Sequence, residues 1–167
     1  MMTEMKIAEL PAGRSLRQPS TALVTLFGVG LMPLAPGSWG ALAALPLGWV
    51  LAVIGGWPLL LFGAVLVSVA GWYASNIYVA ATGRSDPPEI VIDEVAAQWL
   101  ALTVVPVTLS GFVAAYLVFR AFDTIKPWPA SWADEKLEGG AGVMLDDLFA
   151  GAYSLLPLAA LNIMGFF

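Results

Sequence analysis

The stretch WPLLLFGAVLVSVAGWYASNIYVAATG, residues 57–83, carries no charged side chain and is long enough to cross a hydrocarbon core with some tilt, a span needing roughly 20 helical residues. Ahead of it lies ALAALPLGWVLAVIGG (41–56), and Gly55-Gly56-Trp57-Pro58 between them reads as a turn, so the two segments are expected to form a helical hairpin. Downstream, EVAAQWLALTVVPVTLSGFVAAYLVFRAF (94–122) is too long for one unbroken helix. Pro106 and Ser110-Gly111 divide it into a second, shorter hairpin. A last helix is expected to begin near Asp146 or Asp147 and to run apolar to the C-terminus. TALVTLFGVGLM (21–32) is too short to span and reads as a re-entrant or interfacial helix. The apolar runs are continuous rather than alternating, which argues against a β-barrel. The expected fold class is therefore all-α, a polytopic membrane helical bundle. Residues 1–20 would be a polar tail and 21–167 a single membrane-embedded domain.

Composition agrees with this reading. Hydrophobic residues make up 59% of the chain and charged residues 11%, with a mean hydropathy of +0.83, against about 25% charged in soluble proteins. The tryptophans mostly flank apolar runs, where interfacial belts place them. The tail MMTEMKIAELPAGRSLRQPS lacks a compact cationic region followed by an apolar core and a small-residue cleavage site, so a retained tail is expected rather than a signal peptide. The chain has no cysteine and no histidine. Disulfides, thiolate ligands, cysteine nucleophiles and imidazole bases are thereby excluded. Any catalysis must use carboxylates, hydroxyls, Lys, Arg, backbone amides or a hard metal ion.

The basic residues are Lys6, Arg14 and Arg17 in the tail, Arg84 after the long helix, and Arg120, Lys126 and Lys136 around the next polar segment. Read as cytoplasmic, they put the tail and the 82–94 and 121–146 loops inside, and the turns at 55–58 and 106–110 and the C-terminus outside. Every charge then lies on one face. Asp93 and Glu94 start one helix, Asp123 ends another, and Asp146 and Asp147 start a third. Acids at a helix N-terminus could be plain caps. Asp123, however, stands at a C-terminal end, where the dipole disfavours a carboxylate, and so many acids together repel unless a cation intervenes. An oxygen-preferring ion such as Mg²⁺ suits them.

A second constellation lies in PLAPGSWGAL (33–42). Gly37, Ser38 and Gly40 precede an apolar helix, offering free N–H groups and a hydroxyl to a phosphate; an ordinary turn and cap is the plainer alternative. Arg120, Lys126 and Arg84 are the cations available to the same anion, though each could equally be a topology signal or a snorkelling side chain.

The segments GVGLMPLAPGSWGALAALPL (28–47), IVIDEVAAQWLAL (90–102), FRAFDTIKPWPA (119–130) and GGAGVMLDDLFAG (139–151) resemble, in order and spacing, those of the bacterial phosphatidylglycerophosphatase A family. The similarity covers roughly residues 20–152. It implies an inner-membrane phosphatase that removes the terminal phosphate of phosphatidylglycerophosphate with Mg²⁺ at the cytoplasmic face. By that resemblance Asp93, Glu94, Asp123, Asp146 and Asp147 fall on the acidic motif positions, and Lys126, Pro127 and Trp128 on a Lys-Pro-Trp block. Ser38 stands where family members often have Thr, which keeps a hydroxyl, and Glu138 stands where a less acidic residue is common.

The mechanism expected is metal-assisted hydrolysis of a phosphomonoester. The five acids would hold Mg²⁺, one of them serving as base for water, while Arg120, Lys126 and the Gly37–Gly40 turn bind phosphate oxygens. An aspartyl-phosphate route ranks second, because the Asp-x-Asp pattern of the common aspartyl phosphatases is absent. The phospholipid and the membrane are the expected partners, with no nucleic acid. The alternative from a different class is a cation transporter or channel with an acidic cytoplasmic mouth.

Overall fold

The computed structural model describes residues 8–167, so Lys6 lies outside the described residues. They form six α-helices and one short 3₁₀ turn: α1 Pro19–Val24, the turn Val29–Leu31, α2 Pro36–Thr82, α3 Ile92–Leu102, α4 Leu109–Ile125, α5 Ala130–Lys136 and α6 Gly139–Ile163. No strand occurs among the described residues. Two of the helices, α2 and α6, are long and apolar enough to cross a membrane.

Helix α2 is two limbs, 36–55 and 57–82. Gly56 between them has φ 63° and ψ −158°, a conformation essentially confined to glycine. The limbs fold back on one another: the Leu51 side chain would lie 3.2 Å from a Cβ built on Gly63, whereas in a straight helix those residues would be roughly 18 Å apart. The expected hairpin is present, with Pro58 opening its second limb. Gly83, in the left-handed conformation, ends that limb and donates its N–H to the Val79 carbonyl.

The α3–α4 hairpin turns through residues 103–108, and Thr108 caps α4 by accepting from the Gly111 N–H at 3.1 Å. Helix α3 is short, roughly 16 Å at 1.5 Å per residue, and almost wholly buried among α2, α4 and α6. Trp99 donates to the Ala44 carbonyl at 2.9 Å, tying α3 to the first limb of α2.

Three expectations are corrected. Residues 21–32 do not form one helix: left-handed φ values at Leu26, Phe27 and Gly28 break it between α1 and the 3₁₀ turn. The loop expected before Gly139 contains α5. Helix α6 begins at Gly139, so Asp146 and Asp147 lie inside it, roughly 10 Å beyond its first residue, and are not N-caps.

The ends of the bundle differ in chemistry. At one, Asn162 Nδ2 donates to the Val104 carbonyl at 3.0 Å, joining the end of α6 to the uncharged α3–α4 turn. The charged segments meet at the other.

Candidate functional site

A cleft of about 200 Å³ opens at the charged end, and four stretches of chain line it. Pro36 and Gly37 come from the start of α2; Asp86, Pro87, Pro88, Ile90, Asp93 and Glu94 from the connector and first turn of α3; Arg120, Asp123 and Lys126 from the end of α4; Asp146 and Asp147 from α6. Each position has a local cause. The α3 acids occupy its first turn, where the helix dipole favours negative charge. Lys126 ends α4 in the left-handed conformation, φ 45°, uncommon for a side chain of its size, and this turns its amine back over the cleft. Gly37 has no room for a side chain, since a Cβ there would overlap Glu94 Oε1 and stand 3.4 Å from Arg120 Nη1.

Asp93, Glu94, Asp146 and Asp147 are 4–9% exposed. One oxygen from each of Asp93, Glu94 and Asp147 lies within 4.8 Å of the others. Glu94 Oε2, Asp146 Oδ1 and Asp147 Oδ2 are buried with no hydrogen-bond partner. An unpaired buried polar atom is costly, and like charges this close repel. The cations at hand pair with the neighbouring acids instead. Arg120 Nη1 stands 2.6 Å from Asp123 Oδ2, without hydrogen-bond alignment, and Lys126 Nζ donates to Asp134 Oδ1 and Asp146 Oδ2, each at 2.8 Å. Burial alone would lower the Lys126 pKa; the hydrogen bonds to Asp134 and Asp146 outweigh it and raise the pKa above the usual lysine range, so the amine stays charged. Six carboxylates thus face two cations across the cleft lining. So acid-rich a lining opposes an anion, whereas an all-oxygen donor set suits a hard divalent ion.

Of the residues singled out from sequence, Gly37, Arg120, Lys126 and the five acids converge. Ser38 and Gly40 are placed elsewhere. The Ser38 carbonyl accepts a long 3.4 Å bond from Tyr116, and Gly40 lets α2 pack on Val91, whose Cβ would be 2.7 Å from an added methyl. Arg84 pairs with Glu89 at 2.8 Å and does not line the cleft. Two further acids belong to the site or its support. Asp86 lines the cleft, and Asp134 shares Lys126 with Asp146. Neither stands in a spacing that marks it; only the connector's short Asp-Pro-Pro run hints at a fixed position for Asp86.

The described residues are all α-helical, with two helices of spanning length and an acid cluster of the kind that can hold a metal ion beside an Arg and a Lys, a layout compatible with an enzyme at a lipid surface. The family model described as Phosphatidylglycerophosphatase A matches residues 22–162. A protein named Phosphatidylglycerophosphatase A from Haemophilus influenzae is 36% identical over 149 residues, covering 89% of this chain and 91% of its own. One of the same name from Escherichia coli is 36% identical over 140 residues, covering 83% and 81%. A Bacteroides thetaiotaomicron protein with the provisional name of a phosphatidylinositol-3-phosphatase is 35% identical over 154 residues, covering 86% and 96%. No solved structure gives a significant match. The chain belongs to the phosphatidylglycerophosphatase A family.

Proposed function

We propose that this protein is a Mg²⁺-dependent phosphatidylglycerophosphatase that hydrolyses the terminal phosphomonoester of phosphatidylglycerophosphate to phosphatidylglycerol and phosphate, at the cytoplasmic face of the bacterial inner membrane. Residues 21–167 would be its membrane-embedded catalytic domain and 1–20 its tail. One observation carries the reading: four chain segments bring Gly37, Asp93, Glu94, Arg120, Asp123, Lys126, Asp146 and Asp147 to one cleft, in a chain whose relatives bear the name of that activity. The exposed apolar side chains along α2, Val50, Ile54, Phe62, Leu66 and Tyr73 among them, support a lipid surround.

Asp93, Glu94 and Asp147 would hold the ion, with Asp123 and Asp146 beside them; Mg²⁺, when bound, supplies charge neutralisation and Lewis acidity at the phosphate. Arg120 and Lys126 keep Asp123 and Asp146 in place and direct their remaining N–H bonds to the non-transferred oxygens. The bare Cα of Gly37 lets the Glu94 carboxylate sit against it, and the Gly37 N–H, without a partner among the described residues, can donate to the anion. A carboxylate outside the ion-holding trio would take the proton of the attacking water as its oxygen bonds phosphorus and the bond from phosphorus to the glycerol oxygen breaks, and that departing oxygen would take up a proton to become the free hydroxyl of phosphatidylglycerol.

The two fixed cations, together with the family match, favour hydrolysis over cation conduction. A second reading, hydrolysis of a phosphoinositide monoester, has the Bacteroides relative's name behind it. Assaying purified protein on both lipids decides between them. The expected result is faster phosphate release from phosphatidylglycerophosphate with its internal diester left intact; preference for the inositol lipid, or cleavage of the diester, would overturn the substrate assignment.

A further inference from the structure

The connector between α2 and α3, residues 83–91, forms one wall of the cleft through Asp86, Pro87, Pro88 and Ile90. Its intervening acid, Glu89, is turned away from the cleft and is 6% exposed. Glu89 Oε1 accepts from the Tyr78 hydroxyl at 2.8 Å and from Arg84 Nη1 at 2.8 Å, and Arg84 reaches Oε2 at 3.1 Å. Tyr78, in the second limb of α2, is fully buried, and the Arg14 guanidinium lies 4.9 Å from its ring centroid. On the main chain, the Glu89 carbonyl abuts Gly30 so closely that a Cβ there would overlap it, and the Val91 N–H donates to the Val24 carbonyl at 2.8 Å. The carboxylate is thus the side-chain anchor of a segment that holds no regular structure of its own. The two prolines stiffen the stretch immediately before it, so a displacement of Glu89 passes to the wall rather than dissipating within the loop.

We propose that Glu89 is a positioning residue for the phosphatase reaction: clamped by Tyr78 and Arg84, it fixes where Asp86 and the Pro87-Pro88 wall stand opposite Lys126, and so sets how well the lipid phosphate fits the cleft. Glu89 touches none of the reacting groups. The inference rests on the phosphatase reading, but it makes a separate prediction about the connector itself.

The test compares wild type, Glu89→Gln, Glu89→Ala and Tyr78→Phe in detergent, by amide hydrogen exchange and by steady-state phosphate release from phosphatidylglycerophosphate with Mg²⁺. Glu89→Ala should speed exchange at Ile90 and Val91 about tenfold or more, since the buried bond from Tyr78 alone is worth about that much and the half-exposed Arg84 pair adds to it, while α6 keeps its protection. KM should rise several-fold with kcat within about twofold. Glu89→Gln, which still accepts from Tyr78, should restore much of both, and Tyr78→Phe should shift both in the same direction by less. Unchanged exchange at 90–91, a loss in kcat with KM unmoved, or faster exchange spread evenly through α6 would each overturn the positioning role. If wild type releases no phosphate, the phosphatase reading fails on its own, and the exchange data still decide whether Glu89 holds the connector.

Discussion

A methyl group at position 37 would occupy the space of the Glu94 carboxylate, so Gly37→Ala is the smallest change that should disturb the cleft without touching a charge. It is expected to cut phosphate release about tenfold or more while leaving thermal unfolding near wild type, since Glu94 can swing aside but then leaves the acid trio. The acids themselves separate ion-holding from merely structural roles. Asn keeps the size and much of the hydrogen bonding of Asp, so Asp147→Asn, Asp146→Asn and Asp123→Asn would be mild if the acids served only packing and hydrogen bonding. In the proposed site Asp147→Asn should lose about 100-fold or more, and Asp146→Asn and Asp123→Asn, beside the ion-holding trio, about the 10–100-fold typical of outer-shell partners. Asp134→Asn should lose a few-fold, because it releases one of the two carboxylates on Lys126, and exposed Glu135→Gln should stay within about twofold. Steady-state kinetics on purified variants checks all of these. That the five acids and Lys126 would gather was legible because the acids stand at the ends of apolar runs and Lys126 in the polar break that follows one. Asp86 and Asp134 were not, since a polar loop gives its acids no period to be read by.

At the scale of elements, the hairpin at Gly56 was legible from Gly-Gly-Trp-Pro, and the start of α6 was not. Gly139, Gly140 and Gly142 mask the true start of α6, because glycine weakens a helix by roughly 0.5–1 kcal/mol against alanine. Packing overrides that preference. A Cβ on Gly140 would overlap the Trp72 carbonyl of α2, and Asn76 Oδ1 accepts from the Gly140 N–H at 3.0 Å, so the bare backbone lets α6 start early and close on α2. Gly140→Val should therefore abolish a monodisperse elution peak in detergent. Gly56→Ala should act differently: the strained φ costs about 1–3 kcal/mol of stability, but the hinge joins the ends of the limbs far from the cleft, so KM and kcat of the folded protein should hold. A shift in KM on Gly56→Ala would mean that the limbs transmit strain to the site.

For the whole molecule, the segregation of charge to one end is the property from which topology follows. Tags inserted at 130–138 should be cytoplasmic and a reporter fused after Phe167 external; a cytoplasmic C-terminus would require a different count of crossings. The same segregation gathers the acids, Arg120 and Lys126 at one end, with Asp146 and Asp147 about two turns inside α6 rather than at its tip; on the proposed function that end would face the headgroup layer. The most direct test of the account is phosphate release from phosphatidylglycerophosphate by purified wild-type protein in mixed micelles, measured with Mg²⁺, after EDTA and after Mg²⁺ is restored. The account predicts release that stops with EDTA and returns with Mg²⁺, one phosphatidylglycerol appearing per phosphate; well-folded protein that releases none with Mg²⁺ present, or that turns over undiminished in EDTA, would contradict it.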